Sequence, residues 1–277
     1  MSFMRSDVEP TADSYPYVTG MGFRNRAHLI FDEFQKDGAS SISADGQVAF
    51  VKTDFVRIFF MYIVPRLQYK VKIITHNSAL GIDEKFRPWL DHPKIVCWYA
   101  QNANIEHPKL QSVPLGLANR RWAHGSVEQI ESTKDVDIER TNLVYMNFDV
   151  GTNSDKRTSV FNLFSGKKYV TQASPKPFDE YLRDLKESKY VLSPPGAGHD
   201  CHRIWESLIM GAVPIVEAGQ NISFYRHLPI MIVEDWHSVT DELLEKKYQN
   251  FIEKMKEVDC LSMDYWIQKI GLKEGER

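Results

Sequence analysis

Residues 190–216 restrict the possible folds of this chain more than any other segment does. Their sequence, YVLSPPGAGHDCHRIWESLIMGAVPIV, places two short apolar stretches on either side of a Pro/Gly turn and a stretch with helical spacing. This order predicts a buried strand, a turn, a helix and a second buried strand. We expect Asp200 to be the N-cap of that helix and Gly211 to end it. Two strands joined through a helix lie parallel in one sheet, so the segment predicts an α/β fold.

The rest of the chain repeats this alternation of strands and helices. In the second half we expect strands at residues 142–148, 168–172, 190–193, 212–216 and 230–233, and helices at 178–187, 239–258 and near 265–270. In the first half we expect a helix at 55–63 and strands at 70–75, 94–99 and 110–115. The charged stretch 125–140 has few large apolar residues, which predicts a linker. The chain is therefore expected to have a tail, residues 1–17, and two halves, residues 18–140 and 141–277.

Composition and charge exclude several classes of protein. Of the 277 residues, 43% are hydrophobic and 26% charged, so the chain can bury a substantial core and is not a disordered polymer. It carries 34 Lys and Arg against 37 Asp and Glu, a formal net charge of -3. Proteins that bind nucleic acid or anionic membranes usually carry a basic excess. We therefore expect neither partner.

The cysteines and the apolar segments indicate a compartment. Cys97, Cys201 and Cys260 lie far apart and are odd in number, so neither a disulfide framework nor a C-x-x-C metal spacing is expected. The N-terminal tail lacks the apolar core of a signal peptide. The most apolar stretch, residues 55–64, carries Arg57 and falls short of the ~20 residues that a membrane span needs. The sequence predicts a cytoplasmic protein.

A candidate binding site follows from the turn and helix within residues 190–216. In an open parallel sheet, ligands bind where the carboxyl ends of strands meet helix N-termini, and an anion is favoured there. Gly196 and Gly198 permit close approach of the backbone. His202, Arg203 and Glu206 lie on one side of the first helical turns. A guanidinium matches a diphosphate and a carboxylate suits a ribose diol, so the pattern predicts a nucleoside-diphosphate site.

One alternative stays open at this point, and another is excluded. Arg203 and Glu206 have the spacing of an ordinary surface ion pair on a helix. A nicotinamide-dependent oxidoreductase would need a three-glycine fingerprint early in the chain, which is missing.

The same residues resemble a known family. Residues 192–196 (LSPPG), His202-Arg203, Trp205-Glu206, Met210-Gly211, residues 214–216 (PIV) and Asp235-Trp236 look like the C-terminal signature of exostosin-type glycosyltransferases. In the first half, residues 75–78 (THNS), Trp98 with Gln101-Asn102, and residues 114–116 (PLG) resemble small viral members that transfer xylose.

That resemblance implies a GT-B-like architecture, two Rossmann-like parallel-sheet domains facing a cleft. Residues 18–140 would bind the acceptor and residues 141–277 the UDP-sugar, with the C-terminal helix returning to the first domain. The reaction would be an inverting transfer from a UDP-sugar, with UDP-xylose favoured, to a glycan hydroxyl. A viral member would work in the host-cell cytoplasm.

The resemblance also implies roles for single residues on the donor side. Arg203 would hold the diphosphate and Glu206 the ribose. Arg157 would be a second cation, unless it is an ordinary solvated charge at the start of a helix. The remaining donor-binding residues would be Ser193, Gly196, Gly198 and His202 around the phosphates, and Thr171 and Gln172, followed by Ala173, beside the uracil.

On the acceptor side, the pattern departs from the family. The resemblance implies a catalytic aspartate after residues 76–78, where this chain has Ala79, which cannot abstract a proton. Either the chain is an engineered inactive variant, which we favour, or His76 or Asp83 is the base, or the protein binds sugars without turnover. Acceptor binding would fall to Asn77, Ser78, Trp98, Gln101 and Asn102, although strand aromatics such as Trp98 more often belong to the core.

No metal cofactor is expected, because arginines and helix N-terminal amides would stabilise the leaving diphosphate. Asp135 and Asp137 have the D-x-D spacing of metal-binding glycosyltransferases of another fold, but they lie in a charged stretch. His199 and His202, with Arg203 beside them, suit a phosphate better than a metal.

Overall fold

A computed structural model describes residues 4–219 and 222–275. Its ten strands are β1 Leu29–Phe31, β2 Gln47–Lys52, β3 Val71–His76, β4 Ile95–Ala100, β5 Leu110–Ser112, β6 Asn142–Met146, β7 Val170–Gln172, β8 Ser188–Leu192, β9 Val213–Glu217 and β10 Met231–Val233. Its α-helices are α1 Gly20–Asn25, α2 Val56–Tyr62, α3 Arg87–Leu90, α4 Val127–Lys134, α5 Ser154–Phe164, α6 Phe178–Glu187, α7 His202–Ile209, α8 Ile222–Tyr225, α9 Asp241–Met255 and α10 Met263–Ile270.

The strands form two five-stranded sheets, one in each of two compact units. The N-terminal unit comprises Ser6–Arg121 and residues 260–275, and the C-terminal unit comprises Trp122–Asp259 with residues 4–5. All strand pairs in both sheets are parallel. This confirms the predicted α/β class with two Rossmann-like parallel sheets.

The sheet of the N-terminal unit has the order β1-β2-β3-β4-β5. The strands β1 and β2 were not predicted, because β1 has three residues and β2 is buried at four consecutive positions, which removes the alternation that marks a strand. The helix α10 also belongs to this unit. Lys72 Nζ donates to the carbonyl of Ile270, the last residue of α10, at 2.7 Å. Trp266 packs edge-on against Phe23 of α1.

The sheet of the C-terminal unit has the order β10-β9-β8-β6-β7, and its core is built from Val, Ile, Leu, Met and aromatic side chains of the strands and of α5 and α9. The stretch predicted as a linker contains α4, which packs against α6 in this unit. Ile130 of α4 is fully buried. Because α4 packs within the C-terminal unit, the division of the chain falls after Arg121, and not at residue 140.

The segment that first indicated the fold forms β8, α7 and β9 as expected, with one difference at the start of the helix. Cys201, and not Asp200, is the N-cap of α7. The Asp200 carboxylate instead accepts a hydrogen bond from the Trp205 indole at 2.8 Å, inside the core. Gly211 follows the helix with φ +76, in the left-handed region that glycine tolerates. Every described helix is too short or too polar to span a bilayer.

Candidate functional site

The carboxyl ends of β6 and β8 lie side by side in the C-terminal unit, because these two strands pair directly. The loop after β6 begins with Asn147, Phe148 and Asp149, and the loop after β8 is residues 193–200. The helix α7 starts at the end of that second loop. This edge therefore brings together most of the predicted donor-binding residues.

Arg157 lies on α5 and is almost completely buried, so it is not a solvated charge. Its guanidinium donates to the carbonyls of Pro195 at 2.9 Å, Asp149 at 2.7 Å and Pro194 at 3.5 Å. These bonds tie the two strand-end loops together. Burial, and then the nearby Arg203 charge, lower the pKa of Arg157, but an arginine stays charged. Arg157 therefore supplies a fixed positive charge at this edge.

Arg203, in the first turn of α7, lies beside Arg157. Its Nε donates to the main-chain oxygen of Asn147 at 2.9 Å. Its Nη1 is buried and has no hydrogen-bond partner among the described residues. Both guanidinium groups lie near the ring of Phe148, with their carbons 5.6 and 5.7 Å from its centroid. Two cations share one aromatic ring here, a costly arrangement that an anion would relieve.

Glu206 lies one turn further along α7 and is buried. The Tyr181 hydroxyl on α6 donates to its Oε2 at 2.8 Å. Burial raises the pKa of Glu206 to about 7, against the opposing effects of Tyr181 and Arg203. Glu206 is thus not half of an exposed ion pair. A buried carboxylate near an arginine remains compatible with the predicted ribose contact.

The loop after β8 is held by a hydrogen bond within it and by the bonds that its carbonyls accept from Arg157 and Asn153. The Gly196 amide donates to the Gly198 carbonyl at 3.0 Å. A Cβ on Gly196 would lie 3.0 Å from Arg157 Nη2, so a side chain here would press on that guanidinium. Ser193 donates from its amide to Ile215 and from its hydroxyl to Val191. Ser193 therefore braces the loop and does not offer its hydroxyl to a phosphate. His202 is half-buried, with its ring 6.0 Å from that of His124.

The residues predicted beside the uracil lie at the edge strand β7. Thr171 and Gln172 belong to this strand and do not follow it. Their side chains are exposed and bond to Asn142 and Ser165. The amide of Ala173 is used by the sheet, donating to Met146 at 3.0 Å. These three residues therefore offer less to a base than the sequence suggested.

In the N-terminal unit, His76 is the last residue of β3 and is buried. Its Nδ1 accepts from the Asn77 amide at 2.8 Å, and its Nε2 lies 3.1 Å from the Pro114 carbonyl. Burial lowers the pKa of His76 to about 4. Both ring nitrogens are engaged inside the unit, so His76 as arranged here is a structural histidine and not a general base.

The loop after β3 carries Ala79 outward. Asn77 has φ 58, and Gln101, which follows β4, donates to the Ser78 carbonyl at 2.9 Å. Further on, Ile82 bonds to Asn102 at 3.0 Å, and a Cβ on Gly81 would lie 2.5 Å from the Asn102 carbonyl. The loop is thus fastened on both sides of Ala79, which is exposed. Gln101 is buried, and its Oε1 has no partner within the described residues.

Three other residues predicted on the acceptor side have structural roles or are buried. Trp98 is fully buried, with one ring contact to Phe60 (stacked) and one to Phe86 (edge-on), and its indole donates to Thr75 at 2.9 Å. It is a core residue, so its predicted role in acceptor binding is wrong. Asp83 caps a short 3-10 helix by accepting from the Lys85 amide. Asn102 is buried with φ 55 at the end of β4.

Within residues 4–219 and 222–275, no three His, Cys, Asp or Glu side chains come close enough to hold a metal ion. His199 is instead packed against Gly219, and burial lowers its pKa.

The sequence did not point to Phe148 and Tyr181 as site residues. Phe148 is the second residue after β6 but was expected inside that strand, so its side chain gave no separate signal. Tyr181 has the helical spacing of a core residue, and nothing in the sequence links its hydroxyl to Glu206.

One family model matches the chain over residues 152–270, described as the RXYLT1 C-terminal domain. The match includes Arg157, Arg203 and Glu206 but covers less than half of the chain. No curated protein matches the chain.

Several solved structures are similar at low identity. The GtfA/B complex is 10% identical, with 83% of this chain and 57% of that chain covered and a TM-score of 0.43. A glycosyltransferase from Rickettsia africae ESF-5 is 10% identical, with 80% and 74% covered and a TM-score of 0.41. The pneumococcal O-GlcNAc transferase GtfA in complex with UDP and GlcNAc is 9% identical, with 84% and 55% covered and a TM-score of 0.35. The chain spans a little over half the length of the first and third of these. Likenesses this weak do not bear on activity.

Proposed function

We propose that this chain is an inverting glycosyltransferase that moves a sugar, with xylose favoured, from a UDP-sugar to a hydroxyl of a glycan acceptor. The observation that carries the proposal is the buried Nη1 of Arg203, which has no partner among the described residues and lies beside the fixed charge of Arg157. A diphosphate supplies the charge and the oxygen acceptors that this pair lacks. The family match over residues 152–270, to a xylosyltransferase-related domain, supports sugar transfer and favours xylose.

In the proposed reaction, the acceptor oxygen attacks the anomeric carbon of the donor sugar. The new oxygen–carbon bond forms as the bond between that carbon and the diphosphate breaks, and UDP leaves with the electron pair. A base takes the proton of the acceptor hydroxyl. Arg203 and Arg157 stabilise the charge that grows on the diphosphate, so no metal cofactor is needed. Glu206 accepts hydrogen bonds from the ribose hydroxyls.

We propose that position 79 is where the base belongs. Ala79 is exposed on a loop that Gln101 and Asn102 fasten to the end of β4, which would hold a carboxylate there in a defined place. The buried Gln101 Oε1 on the same edge can accept a hydrogen bond from a substrate hydroxyl. As it stands, Ala79 favours a second candidate function, a protein that binds the UDP-sugar and the glycan without turnover.

A turnover assay separates the two functions. We expect the Ala79→Asp variant to release UDP from a UDP-sugar in the presence of oligosaccharide acceptors, fastest with UDP-xylose in a panel that includes UDP-glucose. Leu80→Asp is the matched control, since Leu80 is the exposed neighbour and its carboxylate would lie one residue away. UDP binding by both variants with turnover by neither would establish the binding protein and reject the transferase. A fastest rate with another UDP-sugar would reject xylose alone.

A further inference from the structure

Arg203 is held in its orientation by a series of hydrogen-bonded residues that do not themselves contact the proposed donor. Its Nε donates to the main-chain oxygen of Asn147, the residue that follows β6. The Asn147 side chain fixes that oxygen, because its Nδ2 donates to the Tyr145 hydroxyl at 2.9 Å and lies 3.4 Å from the Ser174 carbonyl. The direction of the Asn147 carbonyl, and with it the direction of the guanidinium, depends on these bonds.

Tyr145 is fully buried on β6 and links Asn147 to Asp184 of α6 by hydrogen bonds. Its hydroxyl accepts from Asn147 and donates to Asp184 Oδ2 at 2.7 Å. Lys176 Nζ lies 2.5 Å from the same carboxylate oxygen. Burial, followed by the hydrogen bond to Asp184, raises the pKa of Tyr145, so the hydroxyl keeps its proton and stays a donor. Hydrogen bonds arranged in a row in this way polarise and strengthen one another.

The helix α6 thus supports both charged side chains of the donor site. Asp184 connects to Arg203 through Tyr145 and Asn147, and Tyr181, one turn earlier on the same helix, donates directly to Glu206. Residues three apart lie on the same face of a helix, so one face carries both supports.

We propose that Tyr145 and Asp184 are positioning residues for the donor diphosphate, acting through Asn147 on the Arg203 guanidinium. This inference rests on the proposed donor role of Arg203. Arginine has a long side chain with several rotatable bonds, and holding it in one orientation before the ligand arrives lowers the entropy that binding costs. Without these hydrogen bonds, Arg203 keeps its positive charge, but its guanidinium is no longer held in one orientation.

The test is a double-mutant cycle read out as the dissociation constant of UDP by calorimetry. Tyr145→Phe removes one hydroxyl and keeps the ring, and we expect it to weaken UDP binding about fivefold, the worth of one hydrogen bond. Asp184→Asn keeps an acceptor for Tyr145 and should weaken binding less than Asp184→Ala. In an Arg203→Ala background, Tyr145→Phe should cause no further loss.

Tyr190→Phe is the matched control. Tyr190 is equally buried in the same sheet, and its hydroxyl donates to Leu244 at 2.8 Å, in α9 and not toward Arg203. We expect it to lower the melting temperature as Tyr145→Phe does and to leave UDP affinity unchanged.

Two results would overturn the inference while leaving the donor site intact. The first is that Tyr145→Phe lowers UDP affinity equally in the presence of Arg203 and in the Arg203→Ala background. The second is that Tyr190→Phe lowers UDP affinity as much as Tyr145→Phe does. If the Arg203→Ala variant bound UDP with unchanged affinity, the proposed donor site would be rejected, and so would the inference that rests on it.

Discussion

The Tyr181 hydroxyl donates a hydrogen bond to Glu206 Oε2 over 2.8 Å, and both groups lie on the inner faces of neighbouring helices α6 and α7. Desolvation dominates the ionisation of this carboxyl, since its pKa rises to about 7 although Tyr181 and the Arg203 charge both act to lower it. Near neutral pH, Glu206 is therefore divided between its charged and neutral forms. A group of this kind makes the stability of the unit depend on pH.

We predict that Glu206→Gln reduces the loss of stability between about pH 5 and about pH 8. With the folded pKa above the ordinary value of 4.5, the folded state holds a proton that the unfolded state releases, so stability falls as pH rises from 4.5 to 7. The full effect is at most about 3 kcal/mol. Urea unfolding at the two pH values measures it, with the exposed Glu180→Gln as control. Equal pH dependence of Glu206→Gln and the unmodified chain would contradict the assignment.

His76 has the opposite dependence. Burial lowers its pKa to about 4, below the ordinary value of 6.5, so the unfolded state takes up a proton first as the solution is acidified. Its contribution to stability is present above pH 6.5 and is lost as pH falls toward 4, by at most about 3 kcal/mol. We predict that His76→Gln reduces the loss of unfolding free energy between pH 6.5 and pH 4. The measurement is unfolding followed by the fluorescence of the tryptophans in the N-terminal unit. An unchanged acid profile would mean that His76 is not buried as a neutral ring.

Gly196→Ala should affect UDP binding more than folding. The new Cβ would lie 3.0 Å from Arg157 Nη2, and Arg157 is held by three carbonyls and cannot move without releasing the loops. We expect UDP affinity to fall about tenfold, the equivalent of 1.4 kcal/mol. Gly38→Ala is the control, because Gly38 has ordinary φ and a Cβ there would make only an ordinary contact, 3.8 Å from Ser40 Oγ. A loss of affinity no greater than that of Gly38→Ala would show that the Gly196 loop is not part of the donor site.

Removal of divalent metal should leave the proposed transfer unchanged. In the proposed donor site, the guanidinium groups of Arg203 and Arg157 would stabilise the negative charge of the departing diphosphate without a metal ion. We predict equal turnover of Ala79→Asp with and without a chelator. A rate that falls on chelation and returns with added magnesium or manganese would contradict metal independence.

The strands β6, β8 and β9 could be predicted because each is a short run of β-branched and apolar residues between turn signals. The three-residue strand β1 and the uniformly buried β2 could not, since neither shows a period. The helix α4 was hidden because Ile130 is its one fully buried apolar residue.

The residues of the candidate site also fall into those that could be predicted from the sequence and those that could not. Arg203 and Glu206 could be found from their spacing after a Pro/Gly turn, which is a local signal. The support from Tyr145, Asp184 and Tyr181 could not, because it depends on which buried hydroxyl meets which carboxylate across the sheet and helices. Trp98 shows that residue type alone does not decide a role, since an aromatic residue in a strand can pack in the core or contact a sugar.

The most direct test of the donor site is the UDP affinity of Arg203→Ala, measured by calorimetry against Arg183→Ala, an exposed arginine of α6 in the same unit. The Arg203 guanidinium, whose Nη1 is buried, should make a charge-assisted contact to the diphosphate, worth about 2 kcal/mol or about 30-fold in affinity. We predict that loss for Arg203→Ala and an unchanged dissociation constant for Arg183→Ala. Equal affinities in the two variants would contradict the donor site.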